Sequence, residues 1–408
     1  VLLTVTVITL VVTLTLQMIV FYKEEYKEMC QSEECIKTAA RVLEAMNKSV
    51  DPCDDFYRFA CDGWVAKHPI PQSQVSWDQL SLLREYLLQD LRILLEMPDK
   101  EDDLRPVKLA KAFYRTCMDT GKIKCPIMNL YDIKDDELYC YIIHNHVYII
   151  MDTPEERRSV HHFFHDWNWT RYLDGIFENT NVTINTESDR VIVMDLHYLQ
   201  KLPQLLAITP PATIGILIFS IIAELTFRDL GFQFSQKVFG LKEKTPRWKG
   251  CTGNVNANFG MALSYVYAQK HFNEQEREKV KMLMDIRAAF DTMVKELDWM
   301  DADTRLRAHR KLYAMRPFVG FPEWITNPEK LNKFYEDAEV IEGKLFETFL
   351  KLTDVGVKKN LNNLREKPDK NRWISTGTTV NAFYSAILNS VTFPAGILHP
   401  PFYGNGIE

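Results

Sequence analysis

Ten histidines and eight cysteines are the side chains through which this sequence of 408 residues could hold a metal or form covalent cross-links. Two histidines four apart on a helix meet one metal from the same face, and a glutamate after the first can activate water there. His161 and His165 have that spacing, but residue 162 is His162 and no nearby carboxylate completes a ligand set. The cluster therefore reads as a solvated or packing group. His144 and His146, two apart, suit a strand face and also lack a third ligand. No His-Glu-x-x-His occurs anywhere in the sequence. The cysteines, at 30, 35, 53, 61, 117, 125, 140 and 251, never take the C-x-x-C spacing of a structural zinc site, so disulfides are the better reading.

Composition narrows the compartment. Val1 to Tyr22 carries no charge. At about 1.5 Å per residue that run covers roughly 33 Å, enough for a hydrocarbon core of ~30 Å. Its threonines can return their hydroxyl protons to carbonyls one turn back. An uncleaved membrane anchor is expected rather than a signal peptide, because a basic n-region and a small-residue cleavage site are both missing. Three N-x-S/T sequons, at Asn47, Asn168 and Asn181, follow the run and fit an oxidising, glycosylating lumen. With 49 basic and 55 acidic side chains the net charge is −6, which leaves no excess of cations for phosphates and excludes nucleic acid as the expected partner.

Helical spacing predicts helices around Ile36 to Met46, over Gln79 to Glu96 and over Lys108 to Thr116, and another from about Ala338 to Lys351. Pro211 to Phe227 predicts a buried helix, since Glu224 interrupts it and two prolines cap its start. From Val280, apolar residues recur at Leu283, Ile286, Phe290, Met293 and Leu297, which predicts a helix ending near Trp299 with this stripe facing the core. Arg190 to Met194 reads as a strand. Trp373 to Tyr384 and Ser390 to Phe393 read as two strands of a hairpin-like pair. In the first of them Asn381 and Ala382 lie in a candidate edge strand, where an extended peptide can add its backbone. The Asn side chain offers that peptide a donor and an acceptor.

The run Val50-Asp51-Pro52-Cys53-Asp54-Asp55-Phe56-Tyr57-Arg58-Phe59-Ala60-Cys61 resembles the neprilysin and endothelin-converting-enzyme family of zinc metallopeptidases. Trp248 to Cys251 with Asn254, Leu297-Asp298-Trp299-Met300-Asp301, Trp373-Ile374-Ser375, Asn381-Ala382-Phe383-Tyr384-Ser385, and Phe393 to Leu398 with Pro400-Pro401 resemble it too, in the family's order. The resemblance implies a mainly α fold: an N-terminal transmembrane helix and a mostly helical lobe of a two-lobed ectodomain, ending in a short β-hairpin. The implied domains are an anchor at 1–22, a stalk at 23–49, an internally shortened helical domain at 50–376, and the start of the catalytic domain at 377–408. It implies a single-pass type II protein of the plasma membrane whose ectodomain meets extracellular peptides, with Asn381 and Ala382 in the substrate-binding strand. It also implies disulfides between Cys30 and Cys35 and between Cys117 and Cys251, and partners for Cys53 and Cys61 in a C-terminal lobe, so that these two are stranded here. Cys125 and Cys140 match no family pair, and a local bridge between them stays open.

Zinc is the cofactor of the full-length family. The sequence reads as cut before the zinc helix, so no zinc is expected on this chain and it is expected to be inactive as given. Two further departures stand out: the stretch between Cys117 and Cys251 looks shorter than in the family, and near Ser76-Trp77 the arginine that some relatives use to hold a substrate carboxylate is not at the matching position. A competing expectation is a non-catalytic ectodomain that binds peptides or forms a homodimer.

Overall fold

A computed structural model of the chain describes residues 32–119, 169–178, 180–185, 189, 196–210, 236, 239–271 and 279–403. The expected anchor, the strand at 190–194, the helix at 211–227, and the histidines at 144, 146, 161, 162 and 165 lie outside them. Among the described residues no helix is long and apolar enough to cross a membrane. The chain divides into two compact units, which contain residues 32–70 with 398–403 and residues 71–397.

The smaller unit is built on a helical pair. α1 (Glu33–Ala45) starts where the Ser32 hydroxyl accepts the Cys35 N–H, and α2 (Phe56–Lys67) where Asp55 accepts the Arg58 N–H at 2.9 Å. The pair meets closely at Gly63, where a Cβ would stand 2.5 Å from the Glu44 carbonyl oxygen. No residue of α2 is buried.

The larger unit holds the core. α3 (Gln79–Glu96) turns Leu83, Leu87, Leu91 and Leu94 inward at spacings of three and four. They pack with Ala110, Phe113 and Cys117 of α4 (Arg105–Met118) and with Val255, Phe259 and Leu263 of a later helix, α7. Burying each large apolar side chain is worth about 1.5–3 kcal/mol. Short helices α5 (Trp169–Phe177) and α6 (Leu196–Ile208) come between α4 and α7 (Arg247–His271). α7 kinks at Phe259 (φ −116°, ψ 25°). The cause is a side chain in its hydrogen-bond ladder: the Met261 N–H donates to the Tyr335 hydroxyl at 3.1 Å.

α8 (Lys279–Glu296) and α9 (Ala302–Ala314) follow, then β1 (Arg316–Gly320), α10 (Pro328–Phe334) and α11 (Leu345–Asn362). β2 (Phe383–Ser385) and β3 (Ser390–Pro394) complete a sheet ordered β1-β3-β2, with β1 parallel and β2 antiparallel to β3.

Some expectations need correction. The helix over Gln79 to Glu96 has those bounds, and α4 runs past both ends of the expected Lys108 to Thr116. The last long helix starts at Leu345 rather than Ala338: Arg105 donates to the carbonyls of Tyr335 and Ala338 at 2.7 Å each, and Gly343 takes a positive φ of 75°. The stripe on α8 does not face the core. Ile286, Phe290 and Met293 are 58%, 51% and 59% exposed, and among the described side chains of α8 the buried ones are Asp291 and Val294. The expected strand from Trp373 to Tyr384 shrinks to its last residues, because side chains of α7 take up the N–H and carbonyl of Thr378 and the Gly396 N–H takes the Gly377 carbonyl.

Candidate functional site: a braced edge strand

Residues 376–380 are threaded between α7 and the turn after β1. Gly260 makes the first approach feasible, since a Cβ there would lie 2.6 Å from Thr376 Cγ2. Asn256 donates from Nδ2 to the Thr378 carbonyl at 3.0 Å and accepts from the Thr378 hydroxyl. Ser264 accepts the Thr378 N–H at 3.2 Å and donates to the Gly260 carbonyl at 2.6 Å. The Gly377 carbonyl accepts the Gly396 N–H at 2.8 Å. Thr378 is fully enclosed. The segment is thus held by polar contacts that are individually worth about 1 kcal/mol but expensive to leave unmade.

From this brace the chain emerges at Asn381 and Ala382, both exposed, directly ahead of β2 rather than within it. The Asn381 Oδ1 accepts the Ala382 N–H at 2.9 Å, so the acceptor end of this side chain is turned onto its own backbone. β2 lies at the edge of the sheet, with one side paired to β3. An exposed edge at the end of a rigid segment can receive an extended peptide.

α9 adjoins the turn of this hairpin, because Asn389 Nδ2 donates to the Lys311 carbonyl at 2.9 Å. Asn389 takes a positive φ of 46°, and the Tyr384 hydroxyl lies 3.4 Å from its Oδ1. The bracing residues Asn256 and Ser264 were not foreseen from the sequence. The signal present was a pair of polar side chains inside an otherwise helical stretch, where such groups tend to bond to backbone.

The other sequence-derived residues do not gather at this strand. Cys117 and Cys251 form a disulfide between α4 and α7. Cys35 is disulfide-bonded, and Cys30 lies outside the described residues, as do Cys125, Cys140 and Asn168. Cys53 and Cys61 are free thiols, Cys53 exposed and Cys61 half-buried. Asn47 Nδ2 donates to Asp62 at 3.3 Å while its Oδ1 accepts the Ser49 N–H and hydroxyl. Asn181 is exposed, and its backbone N–H donates to Asn362 Oδ1 at 2.9 Å.

Among the described residues no group of three or more His, Cys, Asp or Glu side chains is placed to hold a metal. Those residues do not fit a zinc site, and no step through zinc is derived for them. What the geometry offers is backbone recognition of a peptide.

Residues 52–129 and 151–322 match the sequence pattern of Peptidase family M13. The chain belongs to that family. Curated relatives in it include an endothelin-converting enzyme homolog of Locusta migratoria, 25% identical over 92% of this chain and 69% of the relative. Human neprilysin is 25% identical over 97% of this chain and 70% of its own length. Among solved structures, the zinc metalloprotease ZMP1 of Mycobacterium tuberculosis superposes with a TM-score of 0.67 at 17% identity, covering 90% of this chain and 71% of that one. A Haemonchus galactose-containing glycoprotein complex superposes with a TM-score of 0.59 at 17% identity, covering 91% and 69%. This M13 chain therefore has the mostly helical architecture of those solved structures.

Proposed function

We infer that these 408 residues are the N-terminal portion of a membrane-bound zinc metalloendopeptidase of the neprilysin type, acting on extracellular peptides. In this reading residues 1–22 anchor a type II protein in the plasma membrane, 23–49 form a stalk, 50–376 the helical domain, and 377–408 begin the catalytic domain. Asn381 and Ala382, with the open side of β2, align a substrate peptide beside the metal of the complete enzyme. The braced edge strand in a family M13 chain carries this reading. Zinc would supply Lewis-acid activation of water in that enzyme. The sequence contains no His-Glu-x-x-His, so these residues alone hold no zinc and cleave nothing.

The test uses the whole chain, solubilised in detergent. Extended peptides should bind, Asn381→Pro should weaken that binding, and bound zinc should be absent. Stoichiometric zinc with peptide hydrolysis that a chelator stops would defeat the reading.

A second reading, a non-catalytic ectodomain that binds peptides or forms a homodimer, is favoured by the exposed free thiol of Cys53 beside a helix with no buried residue. A disulfide-linked dimer at the cell surface that Cys53→Ser abolishes would support it. Retention of the chain inside the cell would count against it.

A further inference from the structure

Away from the edge strand, α4 and the loop after α10 line an open recess of about 360 Å³. That lies near the lower end of the range typical of small-molecule sites. Its apolar part is Leu109 and Ala112 on α4 with Val340 opposite. Arg105, Lys108 and Arg115 project from the same face of α4, at i, i+3 and i+10, while Asp99 and Glu342 add carboxylates.

These charges are not equally open to a guest. Arg105 gives two of its five N–H groups to the Tyr335 and Ala338 carbonyls, which fixes the far wall and leaves its positive charge to the recess. Arg115 is paired with Asp99 at 3.1 Å. Lys108 spends one of its three protons on the Glu101 carbonyl, at 2.9 Å, and keeps the others. Glu342 is exposed and makes no hydrogen bond or ion pair among the described residues. A cationic pair (Arg105 and Lys108), one anion and an apolar floor are what remain. A phosphate-rich ligand would set its charge against Glu342, and a purely apolar one would use neither sign of charge. A molecule with a carboxylate, an ammonium and an apolar side chain satisfies all three.

We propose that this recess binds a short apolar peptide in its zwitterionic form, with the free carboxylate on Lys108, the free ammonium on Glu342, and a side chain on Leu109, Ala112 and Val340. The site is separate from the strand at Asn381 and stands whether or not the family's chemistry is completed elsewhere. It would make the chain responsive to the small fragments that peptidases release.

Calorimetry on the detergent-solubilised whole chain tests it, with leucyl-phenylalanine as the probe beside its N-acetyl, C-amide and doubly blocked forms. The free dipeptide should bind in the millimolar range, and blocking either end should weaken it about tenfold. Val340→Trp fills the recess and should abolish binding. In Glu342→Ala, acetylating the amine should cost nothing further, and in Lys108→Ala the same should hold for amidating the carboxylate. Equal binding of free and doubly blocked dipeptide would overturn the proposal, as would no binding at millimolar dipeptide. Binding that survives Val340→Trp but is lost in Asn381→Pro would place the peptide on the edge strand and overturn it too.

Discussion

Asn256 grips Thr378 through both ends of its amide, donating to the carbonyl and accepting from the hydroxyl, across 122 residues of sequence. The grip fixes where the chain leaves the core, three residues before Asn381. Replacing Asn256 by Leu removes both bonds, leaving the buried Thr378 carbonyl without this donor and its hydroxyl with only the Thr376 hydroxyl at 3.3 Å. We expect a loss of about 1–3 kcal/mol, read from urea unfolding. Amide exchange at residues 378–382 should accelerate more than in the disulfide region of α4 and α7. Equal acceleration everywhere would mean that Asn256 contributes only to global stability.

Gly63 sets the spacing of α1 and α2. A methyl group there would meet three carbonyl oxygens, those of Glu44, Met46 and Ala45, at 2.5, 2.8 and 2.9 Å. None is the end of a flexible side chain. Gly63→Ala should therefore push the helices apart at a cost of about 1–3 kcal/mol. The loss should appear as faster exchange within residues 33–67, with the larger unit unaffected. An unchanged exchange pattern there would show that the pair can shift freely.

Disulfide removal gives a third expectation. Cys117 and Cys251 close a loop with a sequence separation of 134 residues. Cross-links of this kind typically contribute about 2–5 kcal/mol, largely by restricting the unfolded chain. Cys117→Ser with Cys251→Ser should lower the melting temperature, and adding reductant should bring wild type and variant, each then without its Cys35 bond as well, to the same value. A double variant that melts with the oxidised wild type would contradict this.

How much of this was legible follows from which interactions are local. α3 could be read to its ends because Asp78 caps it and its leucines keep one helical face. β1 was not foreseen, since its pairing partner β3 lies about seventy residues away and Arg316 to Gly320 has no alternating pattern of its own. The strand before Asn381 was overextended because the threonines at 376, 378 and 379 favour strands by propensity, yet their hydroxyls and those of α7 hold an irregular course. Asn381 and Ala382 were singled out by family motifs, as the expected substrate strand. The bracing by Asn256 depends on tertiary contact and has no signature along the chain.

A pH response follows from Asp189. Hydrogen bonding from Arg365 holds its carboxyl below the usual carboxylate range, with the Asn185 N–H helping and burial opposing. Arg365 also donates to the Thr183 carbonyl at 2.9 Å, so the pair clasps Thr183 and Asp189 to the chain just after α11. A depressed folded pKa stabilises fully above the unfolded carboxylate value near 3.9 and is lost as pH falls through the folded value. Arg365 is partly exposed, so the contribution is at most about 1 kcal/mol. Urea midpoints of the wild type and Asp189→Asn should differ at neutral pH and converge in acid. A gap that stays constant down the titration would remove Asp189 from the clasp.

The outward stripe of α8 makes the sharpest contrast with its sequence. Ile286, Phe290 and Met293 repeat at spacings of four and three, as core residues do, yet more than half of each is exposed. Phe259 on α7 is fully buried, stacked on Tyr335 with ring centroids 5.4 Å apart. Truncating a buried phenylalanine costs about 3–5 kcal/mol through lost transfer energy and the cavity left behind, whereas an exposed one creates no cavity. Phe259→Ala should thus destabilise severely, and Phe290→Ala should stay within about 0.5 kcal/mol of the wild type. The same unfolding measurement reads both. A large loss for Phe290→Ala would mean that the stripe is covered in solution, by another copy or another part of the protein, and a covered stripe would return α8 to the inward role its periodicity suggests.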